Sequence, residues 1–326
     1  MLIRFYKSSY LPQFVTLILL GTALWAKSFI YPETSWYASA ANPVFNLMNF
    51  YILKIPVTGT IISFVVLLSQ AFYLSHILTK NELIPKNSLI PALIMILAGS
   101  MHSDLMIFHP GTLPGLFVLI ALGRLLRCYG RTDIARDILS ASFYLSLASL
   151  FYFQSALLIL LIWVTLLIFS ASSIRDWVIP LIGIVIPYIY LYSYYYVFDN
   201  PIPGAAIYLE FFLTSWKIDL NLSLFDYFIW GLMALLFVGS LLFYYSHIQE
   251  KTIIIRKKMA VIWWMVILGI VLLFRSPGGS LDSFSLLIPA IAIMISFFLS
   301  WIKKTRIYEI MLWILILLIF IHQYFF

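Results

Sequence analysis

This chain is a succession of apolar stretches, each close to the length of a membrane helix and separated by short polar connections. Residues 138 to 171 form a nearly unbroken apolar run of 34 residues, which as one helix at about 1.5 Å per residue would be roughly 51 Å long. A bilayer core of about 30 Å needs only about 20 residues, so the run is too long for one crossing. A tight hairpin at Gln154-Ser155 divides it into two. The same ruler marks 11 candidate spans, at 10–28, 57–78, 88–108, 113–128, 138–153, 155–172, 177–198, 223–246, 259–274, 282–301 and 307–325. Backbone amides in lipid must be satisfied within the segment, so the expected fold is all-α, a polytopic transmembrane helical bundle. No long soluble segment or repeat interrupts the pattern, and residues 1–326 read as a single integral membrane domain.

Composition agrees, because a chain that is 63% hydrophobic and 10% charged exceeds what any soluble core can hide. The net charge of +7 is spread in short clusters between apolar runs, which is how topology determinants look and not how a nucleic-acid surface looks. Cys128 is the only cysteine, which excludes a disulfide framework and a cysteine-based metal site. Arg4 and Lys7 ahead of an apolar run from Leu11 to Ala26 imitate a signal peptide. The Ala38-Ser39-Ala40 triplet lies too far beyond that run to serve as its cleavage site, so an uncleaved first span is expected.

Lys and Arg prefer cytoplasmic loops. With the N-terminus cytoplasmic, 16 of the 20 basic residues fall inside, and only Lys27, Lys54, Lys217 and Arg275 fall outside. Merging the hairpin into one span would send Arg175 and the later basic clusters to the wrong side, so charge supports the hairpin independently. The C-terminus is then extracytoplasmic.

That orientation puts the segment GSMHSDLMIFHPG, residues 99–111, on the outer face. Two histidines, an aspartate and a Pro-Gly break between apolar spans mark it as a candidate site, because titratable groups at a membrane boundary cost desolvation. Glu33, His102, Asp104, His109, Arg275 and Asp282 all fall on this side. A carboxylate there can act as a general base, and a guanidinium can clamp a phosphate. His102 and Asp104 can converge on a divalent metal such as Mn or Zn if Ser100 to Asp104 unwinds. The plainer account is that helix ends carry polar residues for solvation alone.

Other polar positions have plainer readings. Arg124, Arg127, Arg131 and Arg136 suit positive-inside anchoring or acidic lipid headgroups. Tyr190, Tyr192, Tyr194, Tyr195 and Tyr196 suit an interfacial aromatic belt. Asp226 is either a helix cap or a proton-relay residue, and His322 reads as interfacial. His76 and His247, near cytoplasmic ends, have no assigned role.

Two resemblances add to this reading. Residues 131–153, with Asn81 and Lys86-Asn87-Ser88 upstream, resemble an uncharacterised family of multi-pass inner-membrane proteins of Bacteroidota, which implies an inner-membrane location. The plan from residue 10 to 198 resembles the C-type membrane glycosyltransferases that use polyprenyl-phosphate-linked sugars. Glu33 takes the place of the acid in the first outer loop, Asp104 with His102 that of the acid in the second, and Gln154-Ser155 that of the close hairpin. Residues 199–326 are then additional C-terminal spans. The first loop carries a single Glu where such enzymes usually have Asp or Asp-x-Asp.

The resemblance implies transfer of a sugar from a polyprenyl-phosphate carrier to a lipid, glycan or protein acceptor at the extracytoplasmic face. Glu33 or Asp104 would be the base, Arg275 the phosphate clamp, and His102, His109 and Asp282 substrate contacts. The rivals are a non-catalytic subunit of a cell-envelope assembly with protein partners, and a transporter or flippase of a lipid-linked substrate. Membrane lipids are partners in each case and nucleic acid in none.

Overall fold

The computed structural model describes residues 2–32, 42–52, 56–171, 173–199, 223–274, 282–302 and 305–325. Among these residues there are 13 α-helices and no strand. They are α1 (Leu2–Tyr6), α2 (Leu11–Ile30), α3 (Pro43–Ile52), α4 (Pro56–Lys80), α5 (Ile90–Gly99), α6 (Thr112–Arg127), α7 (Ala135–Phe151), α8 (Leu160–Phe169), α9 (Ile174–Val197), α10 (Leu224–His247), α11 (Ile253–Phe274), α12 (Asp282–Trp301) and α13 (Arg306–Phe325). Short 3₁₀ segments lie at Ser103–Leu105, Phe153–Ile159 and Ile248–Glu250. Seven helices, α2, α4 and α9 to α13, are long and apolar enough to cross a membrane.

The apolar run of 34 residues is broken where its length required. Helix α7 stops at Tyr152, whose backbone is extended (φ −143°, ψ 101°), and the 3₁₀ segment follows at once. The Tyr129 and Phe169 rings meet at 5.3 Å, which returns the end of α8 to the level where α7 begins. The two halves therefore form a hairpin. Ser170 closes α8 in the left-handed conformation (φ 59°) that more often falls to glycine.

Helix α9 then runs beside α7 in the same direction. Ser146 Oγ donates to the Ile184 carbonyl (2.6 Å), and Ser149 Oγ shares a hydrogen bond with Tyr188 OH (2.8 Å). Gly183 permits this approach, since a Cβ there would stand 2.8 Å from the Leu139 carbonyl oxygen and collide with Ser142 Oγ.

Helix α12 is the centre of the bundle, with 94% of its apolar window buried, and it packs on α5, α6, α10 and α11. Helix α5 is the other wholly buried element. Its 10 residues rise only about 15 Å, about half the thickness of a bilayer core, and the chain continues into a loop with the 3₁₀ turn at Ser103–Leu105.

The two ends of the bundle differ in charge. At one end Arg124 and Arg131 each reach Asp137 at 3.4 Å, and Lys258 Nζ donates to Asn81 Oδ1 (3.0 Å). At the same end Lys251 sits 3.3 Å from the centre of the Trp301 ring, and Trp301 Nε1 donates to the Leu83 carbonyl. The other end carries the 100–111 loop, the C-terminal turns of α2 and α13, and the N-terminus of α10.

Candidate functional site

The site begins where α5 stops. After Gly99 the chain leaves the helix, short of the end of the expected 88–108 span, with His102 extended and a 3₁₀ turn following it. Trp25 Nε1 donates to Ser100 Oγ (2.9 Å), tying the loop to α2. Gln323 Nε2 donates to the Ser100 carbonyl (3.4 Å), tying it to α13. The Met106 sulfur accepts from both Ser28 and Gln323. Three segments distant in sequence are thereby fixed around one point.

Asp226, buried in the first turn of α10, lines the same cavity as Ser28, Met106 and Gln323. Its Oδ2 accepts from the Ser223 backbone N–H and from Ser223 Oγ, each at 2.8 Å, while its own N–H donates to Ser223 Oγ. This capping box satisfies the Ser223 amide and the Asp226 amide at the start of α10. Asp226 is therefore a cap, and the same carboxylate also faces two imidazoles. His322 Nε2 lies 3.2 Å from Oδ1, and His102 Nε2 lies 3.8 Å from Oδ2. The two rings have centroids 6.4 Å apart. The His322 contact has ion-pair distance without hydrogen-bond alignment, leaving Oδ1 without a hydrogen bond.

These groups line an open cavity of about 260 Å³, with Lys27, Ser28, Tyr31, Thr60, Ser103 and Gln323 among its walls. An acid, two imidazoles and an ammonium facing one volume provide proton acceptors and donors beside a fixed positive charge.

The expected site residues are distributed unequally. His102 is in the cavity wall. Asp104 adjoins it, with its backbone N–H donating to His102 Nδ1 (3.2 Å) and its carboxylate 3.7 Å from the same atom, half exposed at the rim. That nitrogen is occupied by the amide, and among the described residues no group of three His, Cys, Asp or Glu is arranged to hold a metal ion. His109 lies elsewhere, in a separate cavity of about 30 Å³ with Gln70 and Ser63, its N–H and ring both engaged with Thr112. Asp282 opens α12, and its carbonyl accepts from Ser285 Oγ (2.6 Å) next to Gly111, where a Cβ would collide with both. Glu33 and Arg275 lie outside the described residues.

Two members of the cluster escape sequence reasoning. His322, expected as an interfacial residue, stands inside the site, and Lys27 carries no expected role beyond its side of the membrane. A His-Gln pair closing the apolar run that begins after Glu309 was the available signal for the first. The second was a lone lysine on the face with few basic residues.

Fold and site together define a multi-pass helical membrane protein with a polar cavity at one end of its bundle. No family model, curated protein or solved structure matches this chain.

Proposed function

We propose that this is an inner-membrane protein crossing the bilayer eleven times, with the cavity at its extracytoplasmic end, and that it transfers a sugar from a polyprenyl-phosphate carrier to a hydroxyl acceptor. The observation that carries the reading is the buried Asp226 between His102 and His322 in a cavity that Lys27 also lines. Glycosyl transfer needs a base for the acceptor hydroxyl and a positive charge for the departing phosphate. The cluster supplies the first and Lys27 the second. The placement of the site opposite Arg124, Arg131, Lys251 and Lys258 supports the orientation.

The test is transfer of labelled sugar from a polyprenyl-phosphate donor by the full chain in nanodiscs. Asp226→Asn is expected to lower turnover at least about a hundredfold, and Lys27→Ala to weaken use of the donor. Wild-type protein that transfers no sugar from any such donor would remove the reading and favour a non-catalytic envelope subunit.

A further inference from the structure

We propose that the basic end of the bundle carries a binding site for the phosphate of an anionic phospholipid, formed by Arg131, Lys257 and the Tyr129 ring and separate from the polar cavity. The site lies where the connection between α6 and α7 meets the second turn of α11. Helix α11 opens with Ile253 and Ile254, both exposed, and carries Lys257 and Lys258 one turn further in. An ammonium at that depth in a membrane helix costs desolvation unless it reaches the interface or meets an anion.

Protein groups answer only part of this charge. Lys258 Nζ donates to Asn81 Oδ1 (3.0 Å) and to the Asn81 carbonyl (3.4 Å), both neutral acceptors. Lys257 stands over the Tyr129 ring, 5.8 Å from its centre, a contact that orients the ammonium without neutralising it. A turn through Gly130 (φ 73°) precedes Arg131, which lies within electrostatic reach of Lys258, as Glu82 does. Asp137 meets Arg131 at 3.4 Å, but the same carboxylate also serves Arg124. Among the described residues these two arginines are the only Lys or Arg side chains of this end at ion-pair distance from a carboxylate. Arg131 is more than half exposed, so guanidinium donors beyond the one on Asp137 stay open to a ligand.

The surroundings select a lipid over a soluble anion. The Tyr129 ring packs on Phe169 at the end of α8, and α8 lies against α11. Leu167 near that end is exposed, as are Ile253 and Ile254, so the cations border an apolar surface of the kind acyl chains cover. An anionic phosphodiester bearing two acyl chains matches both halves, its oxygens meeting Arg131 and Lys257 and its chains the apolar face. Topology alone accounts for basic residues at this end. It does not account for their convergence from separate segments on one aromatic ring beside exposed apolar side chains.

The test is native mass spectrometry of the full chain, released from neutral detergent containing equal amounts of phosphatidylglycerol and phosphatidylcholine. Wild type is expected to retain one phosphatidylglycerol in preference to phosphatidylcholine. Arg131→Gln combined with Lys257→Gln is expected to weaken that preference about thirtyfold. Lys257→Gln alone breaks no ion pair, is expected to weaken it about fivefold, and carries the test if the double variant does not fold. Lys80→Gln combined with Lys86→Gln removes the same charge from exposed positions at the same end and is expected to leave the preference in place. Equal retention of the two lipids by wild type, or an unchanged preference in the folded Lys257 variant, overturns the site. An equal loss in the Lys80 and Lys86 variant overturns it as well, because the end would then attract anionic lipid through its overall charge alone. Displacement of phosphatidylglycerol by millimolar inorganic phosphate would make free phosphate the ligand and overturn the lipid assignment.

Discussion

At the scale of single residues, the site depends on groups that touch nothing reactive. Ser223 makes three hydrogen bonds with Asp226, two of them through its hydroxyl. Ser223→Ala is expected to cost about 1 kcal/mol of stability as a lost cap, seen as a lower thermal midpoint in detergent, and also to release the carboxylate from its orientation. Trp25 holds the loop from α2 through one buried bond to Ser100. Trp25→Phe keeps most of the ring volume and removes the donor, so a loss of about 0.6 to 1.7 kcal/mol is expected, the range of interhelical hydrogen bonds in membranes. The sequence made His102 and Asp104 legible because they are close together between apolar spans. It could not make their partnership with Asp226 and His322 legible, because those residues stand 124 and 220 positions downstream of His102. Which helix ends meet is decided by packing and leaves no local pattern.

At the scale of helices, length and close approach govern. The hairpin was legible in the sequence because 34 apolar residues cannot be one crossing, and the break falls at Tyr152, two residues before the expected turn. The half-length of α5 was not legible. Residues 88–108 read as one span by composition, yet the helix ends at Gly99, and the loop's polar groups are satisfied by neighbours that composition does not reveal. Glycines offer a paired test of helix contact. Gly183→Val places side-chain atoms into the Leu139 carbonyl and Ser142, so separation of α7 from α9 and a marked loss of folded protein are expected by size-exclusion chromatography. Gly231→Ala in α10 meets nothing within 4 Å. It is expected to be neutral or to stabilise by up to about 1 kcal/mol through helix propensity.

At the scale of the whole molecule, charge asymmetry and site placement belong together. If the basic end is cytoplasmic, reporters fused after residue 326 should be active only as extracytoplasmic reporters, and those inserted near Lys251 only as cytoplasmic ones. The reverse pattern would put the cavity on the cytoplasmic side. The seven long apolar helices and their bundle were legible because hydropathy and backbone satisfaction leave few alternatives. The position of α12 was not, because a central and a peripheral membrane helix have similar composition.

That position matters for how the protein is made. Helices α5 and α6 are synthesised well before α12, the element against which both pack. During synthesis these early segments must wait in the membrane with their inward faces covered by lipid, by the insertion machinery or by temporary neighbours. Release of residues 282–301 from the ribosome is then the event that lets the bundle close, and the same event precedes arrival of His322 and Gln323, the last residues of the site. A chain stalled after α11 should therefore be a substrate for membrane quality control, visible as rapid turnover in a pulse-chase experiment, whereas one reaching α13 should persist.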